Sequence, residues 1–354
     1  MVEGEMKNEL RMIAWEVTRN CNLNCIHCRA AAGRGPYEKE LSTEECFRLL
    51  DDITSFSRPV IILTGGEPLL RPDIFEIAQY ATDRGLRTVM AVNGTLLTEE
   101  IARKILDVGI KRISISIDGA DAHSHDSFRG VKGAFRKSLS GIESAKRVGL
   151  EFQLNTTVTA RNLSELPELL NLSRELGAAA HHIFLLVPTG RGEQLKQEEI
   201  SPRAYEETLI RLSRQEGRIP IKVTCAPHYY RILRQKGGQE RKEAAGESRK
   251  PVRPMSVSGG CLGGKSFCFI SHTGQLQPCG YLELNCGDVR KEGFEKAWKG
   301  SEVFKRLRDE SNLKGKCGRC EFKKVCGGCR ARAYVRTGDY LDEEPYCVYE
   351  PKQN

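Results

Sequence analysis

CNLNCIHC, running from Cys21 to Cys28, sets three thiols at spacings of three and two residues directly behind an apolar, β-branched run, MIAWEV. Such a triplet suits a zinc ion with a distant fourth ligand, a disulfide, or an iron–sulfur cluster, and spacing alone leaves all three open. Fourteen cysteines in 354 residues are many, and the polar, acidic opening MVEGEMKNELRM lacks the apolar segment of a secretory signal. No run of about 18 apolar residues exists to span a bilayer. The chain is therefore expected in the cytoplasm, where thiols stay reduced and serve as metal ligands or catalytic groups. A closed structural zinc site takes four protein ligands. Three cysteines on a four-iron cube leave one iron open to a substrate or cofactor.

Outward from the triplet the pattern is that of an α/β protein. Apolar runs recur as MIAWEV, PVIILT, RTVMAV, KRISISI, EFQLNTTV and HHIFLLV. Amphipathic stretches separate them, two with helix-start signals, Ser42-Thr43-Glu44-Glu45 and Thr98-Glu99-Glu100. Six such β–α units predict a parallel sheet, as a partial barrel or doubly wound, with functional groups beyond the C-terminal strand ends. A further helix near 202–216 and a strand, IPIKVTC, carry this unit, 11–230, to its end. The charged stretch 231–254 reads as an exposed linker, and 255–354 as a small Cys-rich domain with one hairpin, SFCFIS and QLQPCGY. Few apolar periodicities remain there, so bound metal is expected to replace core. The net charge of +8 is spread out, without aromatics interleaved in a basic stripe, and no nucleic-acid partner is expected.

Two more strand ends carry polar groups. The second closes on TGGEP, Thr64 to Pro68, where Gly65 and Gly66 permit close backbone approach and Glu67 adds an anion. The fourth alternates as ISISIDG, which puts Ser114, Ser116 and Asp118 on one face and aims the last two at the mouth. A plain turn and a strand-end cap explain each feature singly. Their order along successive strands asks for more.

Together with CxxxCxxC and the aromatic His27 before its last cysteine, these features resemble the radical S-adenosylmethionine (SAM) superfamily. The resemblance implies a partial (β/α)6 TIM-like barrel in which Cys21, Cys25 and Cys28 hold a [4Fe–4S] cluster that chelates SAM. It also implies that Gly65, Gly66 and Glu67 receive the methionyl amino group and that Ser116 and Asp118 take the ribose. Asn93, Arg129 and Asn155 fall at further positions that meet SAM in relatives.

Downstream, Cys261, Cys268 and Cys279 precede Cys317-x2-Cys320-x5-Cys326-x2-Cys329-x17-Cys347. CxxC pairs in series signal metal, and a zinc ribbon is the plain alternative. The set resembles the SPASM extension of radical SAM enzymes, which implies one or two auxiliary [4Fe–4S] clusters. By that resemblance Cys261, Cys268, Cys279 and Cys329 bind an inner cluster, and Cys317, Cys320, Cys326 and Cys347 an outer one. The family usually places three residues, not two, between the cysteines equivalent to Cys326 and Cys329. Cys286 is a spare, and Cys46 reads as a small buried apolar residue.

From residue 11 to 350, stretches such as WEVTRNCNLNCIHCRAAA, HIFLLVPTGRG, TCAPHYYRILRQ and KVCGGCRARAY resemble the heme synthases of the siroheme-dependent heme pathway. That family converts two propionates of iron-coproporphyrin III to vinyl groups by radical SAM oxidative decarboxylation. The resemblance implies a tetrapyrrole substrate and a low-potential donor such as ferredoxin or flavodoxin. Four substrate carboxylates call for arginines, with Arg191 and Arg231 as candidates at strand ends. Cys225 and His228 are candidate ligands of the substrate iron, followed by His181 and His182. The alternatives are a deacetylase acting on didecarboxysiroheme and a SPASM peptide- or sulfatase-maturing enzyme.

Overall fold

In the computed structural model the described residues are 9–215, 219–244 and 260–352. Seven strands, β1 (Met12–Thr18), β2 (Val60–Gly65), β3 (Thr88–Val92), β4 (Arg112–Ser116), β5 (Glu151–Val158), β6 (His181–Leu185) and β7 (Ile221–Thr224), lie side by side in chain order. Every neighbouring pair is parallel. The crossovers are the helices α1 (Thr43–Phe56), α2 (Ile74–Asp83), α3 (Glu99–Asp107), α4 (Ala122–Arg129), α5 (Ala134–Arg147), α6 (Leu166–Glu175) and α7 (Pro202–Ser213). Sequential parallel strands with helical crossovers make a partial barrel, as the β–α pattern predicts.

Local sequence explains the helix starts. Ser42 and Glu45 form a reciprocal capping box on α1, and the Thr98 side chain accepts from Ile101 N on α3. Along the strands, alternation divides two faces. Ile13, Trp15, Ile61, Leu63, Met90, Ile113, Ile115 and Leu154 are buried in one apolar core beneath the helices. The opposite, concave face is polar on its far half: Ser114 faces Gln153, Ser116 faces Asn155, and Asn155 faces His182.

The Cys-rich region is bound into this sheet. β8 (Phe267–Ile270) pairs in parallel with β1, and β9 (Leu276–Gln277) returns antiparallel, as the hairpin predicts. Short helices follow: α9 (Val289–Glu292), α10 (Phe294–Gly300), α11 (Glu302–Arg308), α12 (Gly315–Arg319) and α13 (Arg330–Thr337). Phe294, Trp298, Phe304 and Leu307 sit in the same core cluster as Ile13 and Leu63. The expectation that metal replaces core here is thus corrected, because apolar side chains from this region complete the barrel's own core.

The linker expectation is revised as well. Residues 231–244 continue a helix, α8 (His228–Ala244), while 245–254 lie outside the described residues. Tyr229 and Ile232 anchor its first turns in a second apolar cluster with Tyr205 and Leu209. Among the described residues no helix is long and apolar enough to cross a membrane.

Candidate active site and cluster-binding cysteines

The Cys21–Cys28 loop leaves β1 at its C-terminal end and folds over the barrel mouth. Cys21 and Cys25 are buried and Cys28 partly so, packed with Leu23, Ala30, Ala32 and Ala134. Each sulfur has a donor. Leu23 N reaches Cys21 Sγ at 3.4 Å, Ala32 N reaches Cys28 Sγ at 3.4 Å, and Arg129 Nη1 reaches Cys25 Sγ at 3.6 Å. Donors on sulfur stabilise thiolate and tune a cluster's potential. Burial, helped by the nearby Glu67, Cys25 and Cys28 and opposed by the Leu23 N–H, pushes the Cys21 thiol up to about 12, so ligation is what would ionise it. Among the described residues, no group of His, Cys, Asp and Glu draws close enough to hold a single metal ion. A four-iron cube is larger than one ion, and three sulfurs with matched donors fit it.

The glycines of TGGEP answer to this loop. A Cβ on Gly65 would collide with Thr18 O, and one on Gly66 would stand 2.6 Å from Arg19 O. Gly66 N donates to Thr18 O and Glu67 N to Asn20 O, each at 2.8 Å. The close approach read from sequence is therefore to the cysteine loop's own backbone. Glu67 is fully buried and accepts from Asn93 N at 2.7 Å and Leu69 N at 3.2 Å, and burial raises its carboxyl to about 7. The Asn93 side chain donates to Asn22 Oδ1 at 2.8 Å, which ties the end of β3 to the cysteine loop.

Asp118 and Arg129 form a buried ion pair at 2.5 Å. Burial would raise Asp118, but Arg129, His27 and the Thr157 N–H outweigh it and hold the carboxyl below its usual range. His27 Nε2 lies 3.6 Å from Asp118, its ring packed on Phe128, and burial depresses the imidazole to about 4. Cys25, His27, Arg129, Asp118, Ser116 and Asn155 thus gather at one mouth, where the polar face of the barrel meets the cysteine loop.

The two arginines read as substrate ligands have other partners. Arg191 donates from Nε to Cys25 O at 2.8 Å and from Nη1 to Ala32 O at 2.7 Å, which clamps the cysteine loop. Arg231 pairs with Glu206 at 2.5 Å and lies over the Tyr349 ring. Strand-end position suited a carboxylate ligand equally well, and only tertiary contacts separate the roles. His181 turns into the core against Thr156, while His182 holds the concave face beside Gln153.

The thiols around the Cys-rich region gather in two places. Cys317, Cys320, Cys326 and Cys347 line one cavity, with His228 and Arg231 on its wall. The shortened Cys326–Cys329 spacing is bridged by Gly327 and Gly328, both left-handed at φ of 67° and 63°. A side chain on Gly328 would strike Arg330 and Cys317. In the second, Cys329 is buried in one apolar cluster with Val187, Leu282 and Ala331, and Cys225 and Cys279 both pack against it. Cys261 is tied by its N–H to Cys326 O of the first set at 3.1 Å, and its thiol bears on Cys279 and Cys329. Cys268 lies elsewhere. It sits on β8 opposite Ile13, fully buried in the main core with Cys286. Its assignment to the inner cluster is corrected on that ground: side-chain parity along β8 turns it from the cavity. His228, expected at a substrate iron, is buried with Nδ1 3.2 Å from Tyr205 Oη.

Sequence reasoning missed Glu16, Arg29, Arg332 and Glu344. Glu16 is fully buried on β1; burial would raise it, but Arg29, His272 and Arg19 pull it down to about 2. Arg332 and Glu344 form a buried pair at 3.4 Å, and Glu344 also accepts from Cys329 N at 2.7 Å. The RAR run after Cys329 was the available signal.

Residues 15–173 match the Radical SAM superfamily, and 261–321 match an iron–sulfur cluster-binding domain, SPASM. With the cysteine loop at the barrel mouth, fold and site define a radical SAM enzyme. The chain is 52% identical to the AdoMet-dependent heme synthase of Methanosarcina barkeri, covering 98% of each protein. The same identity holds to that of Nitratidesulfovibrio vulgaris, over 97% of this chain and 93% of that one. Identity to the Fe-coproporphyrin III synthase of M. barkeri is 32%, over 96% of this chain and 88% of that protein. Among solved structures, SuiB of Streptococcus suis bound to S-adenosylmethionine superposes with a TM-score of 0.74 at 14% identity, covering 97% and 78% of the two chains, a likeness of fold. The chain belongs to the family of the AdoMet-dependent heme synthases.

Proposed function

We propose that this chain oxidatively decarboxylates two propionate side chains of Fe-coproporphyrin III to vinyl groups, forming protoheme, with reducing electrons from a ferredoxin- or flavodoxin-type donor. The observation that carries this reading is the 52% identity over nearly the whole chain to a protein named heme synthase, against 32% to one named Fe-coproporphyrin III synthase. Cys21, Cys25 and Cys28 would hold the cluster, and Gly65, Gly66, Glu67, Asn93, Ser116, Asp118, Arg129 and Asn155 would line the SAM site. Bound there, SAM and the cluster would supply the hydrogen-abstracting radical chemistry. The chain's own work is placement. Arg191 and Asn93 fix the loop, and the Asp118–Arg129 pair keeps a charged, hydrogen-bonded wall beside Cys25.

The concave face offers the substrate its own groups. Lys222, opposite His182, and Arg29, stacked on Phe269 at 4.3 Å, are the cations suited to propionates. With His228 bonded to Tyr205 and Cys225 beside Cys279 and Cys329, His182 becomes the first choice to meet the substrate iron. Anaerobic incubation with SAM and either Fe-coproporphyrin III or didecarboxysiroheme, followed by mass spectrometry, tests the reading. Loss of carbon dioxide from the coproporphyrin is expected, and acetate removal from the siroheme derivative contradicts it.

A further inference from the structure

Four thiols are needed to close the inner auxiliary site, and the expected fourth, Cys268, is buried in the main core on the wrong face of β8. Resting on the reading that the Cys-rich region holds two cubes, we propose that Cys225, from the barrel itself, supplies the fourth thiolate. Cys225 follows β7 and packs, as Cys279 does, against the buried cluster that contains Cys329. The thiols that bear on it electrostatically are Cys329, Cys279 and Cys261, whereas Cys268 feels Cys286 and Arg308.

The backbone is built to turn this residue. Cys225 takes a φ of 60°, a conformation that non-glycine residues rarely adopt, and its carbonyl is pinned by Arg332 Nη1 at 3.1 Å and Tyr205 Oη at 3.2 Å. Arg332 belongs to α13, which begins immediately after Cys329. One guanidinium therefore sets the Cys225 backbone against the helix that follows a second ligand. The inner cluster would cross-link the seventh barrel strand to the Cys-rich region and would be closed to outside ligands.

The test uses full-length protein reconstituted anaerobically with iron, carrying Cys225→Ala, Cys225→Ser or Cys268→Ala. Iron content is measured, and electron paramagnetic resonance of the reduced protein is recorded with and without imidazole as an exogenous ligand. Cys225→Ala should either lose about four irons or keep a cube whose signal shifts with imidazole. Cys225→Ser should alter the same signal at conserved volume, and Cys268→Ala should match the parent in iron and spectrum. A SAM-induced change in the signal of the Cys21–Cys28 cluster serves as the folding control. Changes in Cys268→Ala with none at Cys225 would overturn the proposal, as would parent-like behaviour of every single variant. A Cys261/Cys279/Cys329→Ala triple variant with full iron would instead sink the inner cluster itself.

Discussion

The chain gathers its cysteines in two opposite ways. In the Cys21–Cys28 loop, all three ligands lie within eight consecutive residues, and two of the three sulfurs take their donors from the same segment, Leu23 N and Ala32 N. The auxiliary thiols instead lie far apart in the chain, after β7, before β8, after β9 and at the start of α13, and the fold decides which of them meet. A contiguous site can be read from spacing. An assembled one depends on strand parity and on where left-handed residues turn the chain, neither of which spacing encodes.

The sharpest way to break this comparison is to remove ligands from each side in turn. Cys25→Ala should abolish 5′-deoxyadenosine formation altogether, measured by chromatography after anaerobic reduction. Cys320→Ala, in the outer site, should leave SAM cleavage detectable while product formation stops. Equal loss in both would erase the distinction between a radical-generating site and an auxiliary one.

Next in size is the buried pair beside Cys25. Arg129→Leu leaves Asp118 unpaired at 1% exposure and removes the donor on Cys25 Sγ, with an expected loss of about 3–5 kcal/mol in anaerobic denaturation. A double-mutant cycle with Asp118→Asn should return much of it, and additive losses would mean that the pair is not coupled.

A smaller effect tests why TGGEP has its glycines. Gly66→Ala meets the carbonyls of Arg19 and Asn20 and should cost about 1–3 kcal/mol together with cluster loading. Gly300→Ala, with nothing within 4 Å, should be neutral or slightly stabilising in the same melt. Comparable behaviour of the two would place the need for Gly66 in ligand approach alone.

A pH slope tests the same wall from another side. Burial depresses His125 from 6.5 to about 4, and its Nδ1 accepts from Asp118 N, so the folded protein holds it neutral. Between those values the unfolded chain binds the extra proton, and stability falls as pH drops from about 6.5 to about 4. The denaturant midpoint of His125→Gln should depend less on pH across that window. An unchanged slope would remove His125 as its source.

Much of the barrel was legible because its signals are local. The apolar runs became strands, Ser42 and Thr98 capped the helices they precede, and alternation in ISISIDG placed Ser116 on the concave face. What local signals left undecided has a shared cause. Arg191, beyond β6, and Arg231, in the first turn of α8, are each engaged by groups distant in sequence, the loop carbonyls and Glu206. Helix α8 was hidden by its charge, because the apolar contacts that hold its start, Tyr229 and Ile232, are few.

The contrast between an open triplet and closed auxiliary sites is tested most directly by Mössbauer spectroscopy of the iron-57-labelled protein with and without SAM. One cube should develop a distinct iron on SAM addition, Cys25→Ala should abolish that change, and the remaining iron should be indifferent to SAM in both proteins. A spectrum in which no iron responds to SAM, or in which the response survives Cys25→Ala, would contradict the account.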